Sequence, residues 1–279
     1  VLENIQLQFF WVQRENPPLI ALLRGDITSS MVKRILVAAS LLMGAVAHGG
    51  TVTVSAAISL KDALSDISAA YEKQGGDHIE FAYGASGQLA AQIQQGAPVD
   101  LFISAAWTQV NQLSKAGLVD DASKKVVAKN ALVLIVPANA TASPASFKDL
   151  ANEQYKKIAI GDPRTVPAGD YAKQTLMSSK IFDTVQSRLI FGANVRQVLS
   201  YVERGEVDAG IVYKTDALQS GEKVKTVAAA DESLHKPIEY PAVVIKNAAD
   251  HDGAQKFLDY LSSEAARQVF IARGFEPAK

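Results

Sequence analysis

The chain has 279 residues, 48% of them hydrophobic and 20% charged, with a formal net charge of −1 at pH 7. That length and apolar content allow a large core in one or two domains, and the near-neutral balance argues against a nucleic-acid partner, which needs a basic face. The absence of cysteine excludes disulfides, thiolate metal sites, a cysteine nucleophile and a lipidated N-terminal cysteine.

Residues 1–30 show no sustained helical period and contain Pro17-Pro18. At Met31 a different pattern begins: Met31-Val32-Lys33-Arg34, then the apolar "ILVAASLLMGAVA", then His48. A basic start and the small residues Ala45 and Ala47 predict a secretory signal over residues 31–47, cleaved after Ala47. Its apolar stretch falls short of the roughly 20 residues of a membrane-spanning helix. Residues 1–30 are then expected to be an upstream extension that is not native, with Met31 the true start.

From Thr51 the pattern becomes regular. "TVTVSAA" alternates and is β-branched, which predicts a strand. "SLKDALSDISAAYEKQG" places Leu60, Ala63, Leu64, Ile67 and Tyr71 at helical spacing and stops at Gly75-Gly76. "HIEFAYG" is a strand, "SGQLAAQIQQG" a helix with Leu89 and Ile93 inward, and "VDLFISA" a strand. This alternation implies right-handed crossovers and a parallel sheet covered on both faces. A second series comes after it: strand "ALVLIVP", a polar run with a short helix, strand "KIAIGDP", helices "AGDYAKQTLMSS" and "NVRQVLSYVERG", and strand "VDAGIVY". Strands "KVKTVAA" and "YPAVVIK" come next. A single amphipathic helix carrying Phe257, Leu258, Leu261, Ala265 and Val269 closes the chain. So many strands predict two α/β lobes rather than one sheet. Ligands of such sheets bind outside the C-terminal ends of the strands.

Four junctions leading into helices are poor in bulk. They are "AAIS" ending at Ser59, "YGASG" with Ser86, "VPAG" with Pro167 and Ala168, and "GANV" with Asn194 and Val195. Helix capping accounts for each serine, and for Asn194, taken singly. Together the four starts would offer hydroxyls and backbone N–H groups, all donors, to one anion. Arg164 and Arg196, beside the last two junctions, are expected to face solvent or pair on the surface. Asp162 and Asp170 are expected to have cap and surface roles. A site of neutral donors suits a fully ionised oxyanion, which only accepts hydrogen bonds. A protonated phosphate would also want an acceptor. Catalytic patterns are weaker. "GASGQ" misses the G-x-S-x-G elbow by one place, and His48, His78, His235 and His251 have no metal spacing. No glycine-rich nucleotide loop is present. Trp107 fits either the core or the rim of a cleft.

The segments "VSAAISLKDAL", "YGASGQLAAQIQQGAPVDLFISA", "AIGDPRTVPAGDYAKQTL", "NVRQVLSYVERGEVDAGIVYKTDA" and "EYPAVVI" resemble, in order from about Thr51 to the C-terminus, the periplasmic molybdate-binding proteins of ABC importers. The resemblance implies a two-lobed α/β periplasmic-binding-protein fold, each lobe a mostly parallel sheet flanked by helices, with a hinge of crossing strands. Lobe 1 would comprise residues 48–129 and 239–279, and lobe 2 residues 130–238. The resemblance also implies that a tetrahedral dianion is held between the lobes without counter-charges. Ser59 and Ser86 would give hydroxyl and backbone donors, Ala168 and Val195 backbone N–H groups, and Tyr213 its hydroxyl. The chain would then be no enzyme and have no cofactor. It would be a monomer that carries molybdate or tungstate in the periplasm to an inner-membrane ABC permease with a cytoplasmic ATPase. A sulfate-type or other oxyanion receptor is the alternative, and a secreted hydrolase using Ser86 is the alternative of another class. Two positions depart from the family pattern: Ile58 replaces a small residue, and Gly87 stands where a second hydroxyl is common.

Overall fold

The computed structural model describes residues 50–278. The expected extension, signal segment and cleavage junction lie outside the described residues. Strand β1 (Thr51–Ala57) runs into one 3-10 turn, Ile58–Leu60, and then helix α1 (Lys61–Lys73). The stripe Ala63, Leu64, Ile67 and Tyr71 is buried, as the 3.6-residue period requires. The chain turns out of α1 through Gly75, whose φ of +87° favours glycine. Strand β2 (His78–Gly84), helix α2 (Ser86–Gln94), strand β3 (Leu101–Ile103), helix α3 (Trp107–Lys115) and strand β4 (Lys125–Lys129) come next. Strand β1 is parallel to both β2 and β3, because helical crossovers join them.

At Asn130 the chain leaves this sheet and enters a second one through β5 (Leu132–Pro137), which is buried along its whole length. The second sheet and its helices continue through β6 (Ile158–Gly161), α4 (Pro167–Ser178), α5 (Phe182–Val185), β7 (Leu189–Gly192), α6 (Val195–Glu203), β8 (Ala209–Tyr213), α7 (Lys214–Ser220) and β9 (Val224–Ala229). The chain then returns to the first sheet as β10 (Glu239–Val244), and ends with α8 (His251–Leu261), α9 (Glu264–Ala272) and β11 (Glu276–Pro277). The sheet orders are β11-β4-β10-β3-β1-β2 and β7-β6-β8-β5-β9. Both are mixed. Strands joined by helical crossovers run parallel, and those next to the two passages between sheets pair antiparallel. The Asn130 N–H donates to the Ile238 carbonyl at 3.1 Å, tying one passage to the other.

The C-terminal helix differs from expectation. The Ser263 side chain accepts the Ala266 N–H and starts α9 afresh after α8 has ended. The register shifts across that break, so Ala266 and Phe270 are buried while Ala265 is exposed.

The stretch "GDPRTVPAGDYAKQ" packs α4 against β6 backbone to backbone. A Cβ on Gly169 would lie 2.0 Å from the Gly161 carbonyl oxygen, and one on Gly161 would lie 2.4 Å from Val166 Cγ1. Pro167 sits first in the helix, where its missing N–H costs nothing. The glycines are therefore needed for contact rather than for turning. Gly169→Ala should overpack this junction by about 2 kcal/mol. A thermal melt should show a midpoint lowered by roughly 4–8 °C, and an unchanged midpoint would contradict the backbone contact.

Candidate functional site

The loops after β1, β2, β6, β7 and β8 converge where the two sheets meet. Ser59 and Ser86 come from the first sheet, and Ala168, Val195 and Tyr213 from the second. All five line one small cavity of about 10 Å³, room for roughly one water. No charged side chain lines it.

The start of each helix decides what it offers. Helix α2 has Ala85 at its cap position and no side-chain cap; Ser86 is its first residue and caps nothing. The Ser86 hydroxyl oxygen instead accepts the Ala105 N–H at 3.0 Å, which leaves its own proton free to donate. Helix α4 begins after Val166, also without a side-chain cap, and α6 begins after Asn194, whose side chain accepts the Gln197 N–H at 3.0 Å. Asn194 thus caps, as its residue type suggests. Ala168 and Val195 lie in the first turns of their helices, where backbone N–H groups have no helical partner.

Ser59 sits in the turn after β1 and does not cap it. Its Oγ is 3.0 Å from the hydroxyl of Tyr240. Tyr213 ends β8 and is 1% exposed. Its hydroxyl has no hydrogen-bond partner among the described residues, and Tyr213 lines the cavity. Burial pushes this phenol well above its ordinary pKa, so it is a donor at neutral pH. An unpaired buried hydroxyl costs about 1–3 kcal/mol, which a ligand accepting its hydrogen bond would recover.

The charged residues nearby are spent elsewhere. The Arg164 side chain is 86% exposed and pairs with Asp162 at 2.6 Å, in line with the sequence. Arg196 corrects the expectation of a surface role. The first turn of α6 brings Arg196 toward the other sheet, 2.6 Å from Asp62 on α1, in a partly buried pair. Its Nε is also 2.5 Å from Oδ1 of Asp216, which is wholly buried. Burial pushes the Asp216 carboxyl up to about 6, against the opposing pull of Arg196.

Gly87 also reads differently in the structure. Its N–H donates to the Thr165 carbonyl at 2.9 Å, a bond between the two sheets' loops, and a Cβ would lie 2.6 Å from that oxygen. The position serves a contact across the cleft, and a side chain there would push the loops apart. Ile58 lines the cavity beside Ser59. Trp107 is half-buried and donates from Nε1 to Glu239 at 2.7 Å; it is not among the residues lining the cavity. Sequence reasoning gave no role to Tyr240 or Asn130. Asn130 donates to Tyr240 and to Thr215 beneath Ser59, and a polar residue between two strands was the only available signal. A larger depression of about 260 Å³ lies between Ile93–Asp100 and Ile245–Ala249. Its buried carboxylate, Asp100, is already occupied by the N–H groups of Thr53 and Asp250.

The family model described as bacterial extracellular solute-binding protein matches residues 52–276. A Bacillus subtilis protein, provisionally named ABC transporter substrate-binding lipoprotein YvgL, is 44% identical over 229 residues, covering 81% of this chain and 86% of that protein. The molybdate-binding protein ModA of Haemophilus influenzae is 40% identical over 238 residues, covering 82% of this chain and 91% of that one. Among solved structures, the periplasmic molybdate-binding protein of Azotobacter vinelandii superposes with a TM-score of 0.74 at 25% identity, covering 82% of this chain and all of that one.

The two arginines should separate in urea unfolding. Arg196→Ala strands the buried Asp216 carboxylate and should cost about 3–5 kcal/mol, whereas Arg164→Ala should cost less than about 0.5 kcal/mol. Equal effects would mean that Arg196 is only a surface neighbour.

Proposed function

This chain belongs to the bacterial extracellular solute-binding protein family, and on that premise we propose that it binds molybdate, and tungstate with it, between its two sheets. The observation that carries this reading is the unpartnered hydroxyl of Tyr213, buried and facing a cavity lined by uncharged donors. A tetrahedral dianion offers acceptor oxygens and no protons. It would take hydrogen bonds from the hydroxyls of Ser59, Ser86 and Tyr213 and from the N–H groups of Ala168 and Val195. Helix N-termini favour such a charge without a full counter-ion. The relatives named for molybdate binding support the choice of anion.

Delivery to an ABC permease of the inner membrane is part of this reading, supported by the relative named for an ABC transporter, and no helix among the described residues is long and apolar enough to cross a membrane. The bond from Gly87 to Thr165 and the ion pair from Arg196 to Asp62 join the two lobes, which fits a receptor that closes on its cargo by hinge motion. The protein acts as a receptor rather than a hydrolase in this reading. Ser86 Oγ is engaged by a backbone N–H, and nothing beside it in the cavity lining is a base.

Calorimetric titration with molybdate, tungstate, sulfate and phosphate tests the reading directly. Saturable binding of molybdate is the expected result, and preference for sulfate would make the chain a sulfate-type receptor instead. Ser86→Ala should weaken molybdate by about 1.5–3 kcal/mol, on the order of ten- to a hundredfold. Arg164→Ala should change affinity by a few tenths of a kcal/mol. A large loss for Arg164→Ala with none for Ser86→Ala would mean that the anion is held by charge, contrary to the neutral-donor mechanism.

A further inference from the structure

Behind Ser59 runs a buried hydrogen-bond chain whose direction can be worked out. The Ala131 N–H donates to Oδ1 of Asn130 at 2.9 Å. That fixes the orientation of the amide, because only its oxygen can accept. The amide nitrogen of Asn130 therefore points the other way, donating to Thr215 Oγ1 at 2.9 Å and to Tyr240 Oη at 3.1 Å. Tyr240 is wholly buried and Ser59 is 3% exposed, so no water intervenes. Having accepted from Asn130, the Tyr240 hydroxyl has one proton to place, and its remaining partner is Ser59 Oγ at 3.0 Å. Ser59 must accept it. The Ser59 proton is then left to point into the cavity that Ser59 lines.

We propose that Asn130 and Tyr240 are positioning residues of this site: they hold the Ser59 hydroxyl as a donor toward the ligand and so disfavour an oxyanion that presents a proton there. The proposal rests on the oxyanion reading of the cavity. Neither residue lines the cavity, and both act through Ser59. Their placement gives the chain a second property. Asn130 lies on the outgoing passage between the sheets and Tyr240 on the returning strand β10. The donor state of one ligand-facing hydroxyl is therefore set by the two segments that join the lobes.

Tyr240→Phe keeps the ring, which packs against Phe275 and Tyr213, and removes only the hydroxyl. In the full chain, molybdate titration should show about a tenfold loss of affinity. Adding the same change to Ser59→Ala should cause no further loss, since Tyr240 acts only through Ser59. The Phe variant leaves a lone pair free on Ser59, so inorganic phosphate should compete with molybdate more effectively than against the wild type. Asn130→Asp puts an acceptor where a donor stood and turns the chain around, so it should lose more than Tyr240→Phe. If that variant fails to fold, the phenylalanine cycle decides alone. An unchanged affinity in Tyr240→Phe, a loss that adds fully to that of Ser59→Ala, or phosphate that competes no better would each overturn the proposal while leaving molybdate binding intact. A wild-type chain that binds no oxyanion would overturn both.

Discussion

A helix that starts without a capping side chain leaves N–H groups in need of a partner, and here such starts face one another across a gap. The turn Ile58–Leu60 and helices α2 and α4 all begin without a side-chain cap. Helix α6, which also starts at the cavity, is capped by Asn194. The difference lies in the cap positions themselves: Ala57, Ala85 and Val166 carry no side-chain oxygen to offer. Two sheets that share no strand thus share a need for one electronegative guest. The Tyr213 hydroxyl adds to that need, since it is buried with no partner among the described residues.

Charge is kept close to this centre but neutralised. Arg196 sits immediately after Val195, yet its guanidinium is held between Asp62 and Asp216. A lone arginine at that distance would bind any anion and favour charge over shape. Balanced by two carboxylates, it becomes instead a strut between the lobes. Gly87 works beside it in another way, giving up its side chain so that two backbones can touch. The contacts that bring the lobes together are therefore separate from the donors that face the cavity.

Much of this was legible in the sequence because small residues before helices leave a plain trace. Ser59, Ser86, Ala168 and Val195 could each be located from such a junction. Tyr213 could not, since an aromatic residue ending an apolar strand looks like core, and only family resemblance singled it out. Asn130 and Tyr240 were hidden for a similar reason: their roles depend on a hydrogen bond between residues far apart in the chain. Arg196 was misplaced because helical position alone does not reveal which neighbour a first turn will face. The break at Ser262-Ser263 went unseen because hydrophobic period continues across it, and only the cap shows that the helix has restarted.

The contact between Gly161 and Gly169 has a consequence for how such a receptor could be redesigned. Where Gly169 of α4 meets Gly161 of β6 through bare backbone, no side chain stands at that point that could be trimmed to move the helix. The width available to a guest is then gauged by main chain on that side, as a fixed calliper rather than an adjustable one. Substitutions among the lining side chains could alter which donors are present without altering the reach between them. Accommodating an anion of different radius would require changing the length of the loop from Asp162 to Val166, where the jaw itself is set.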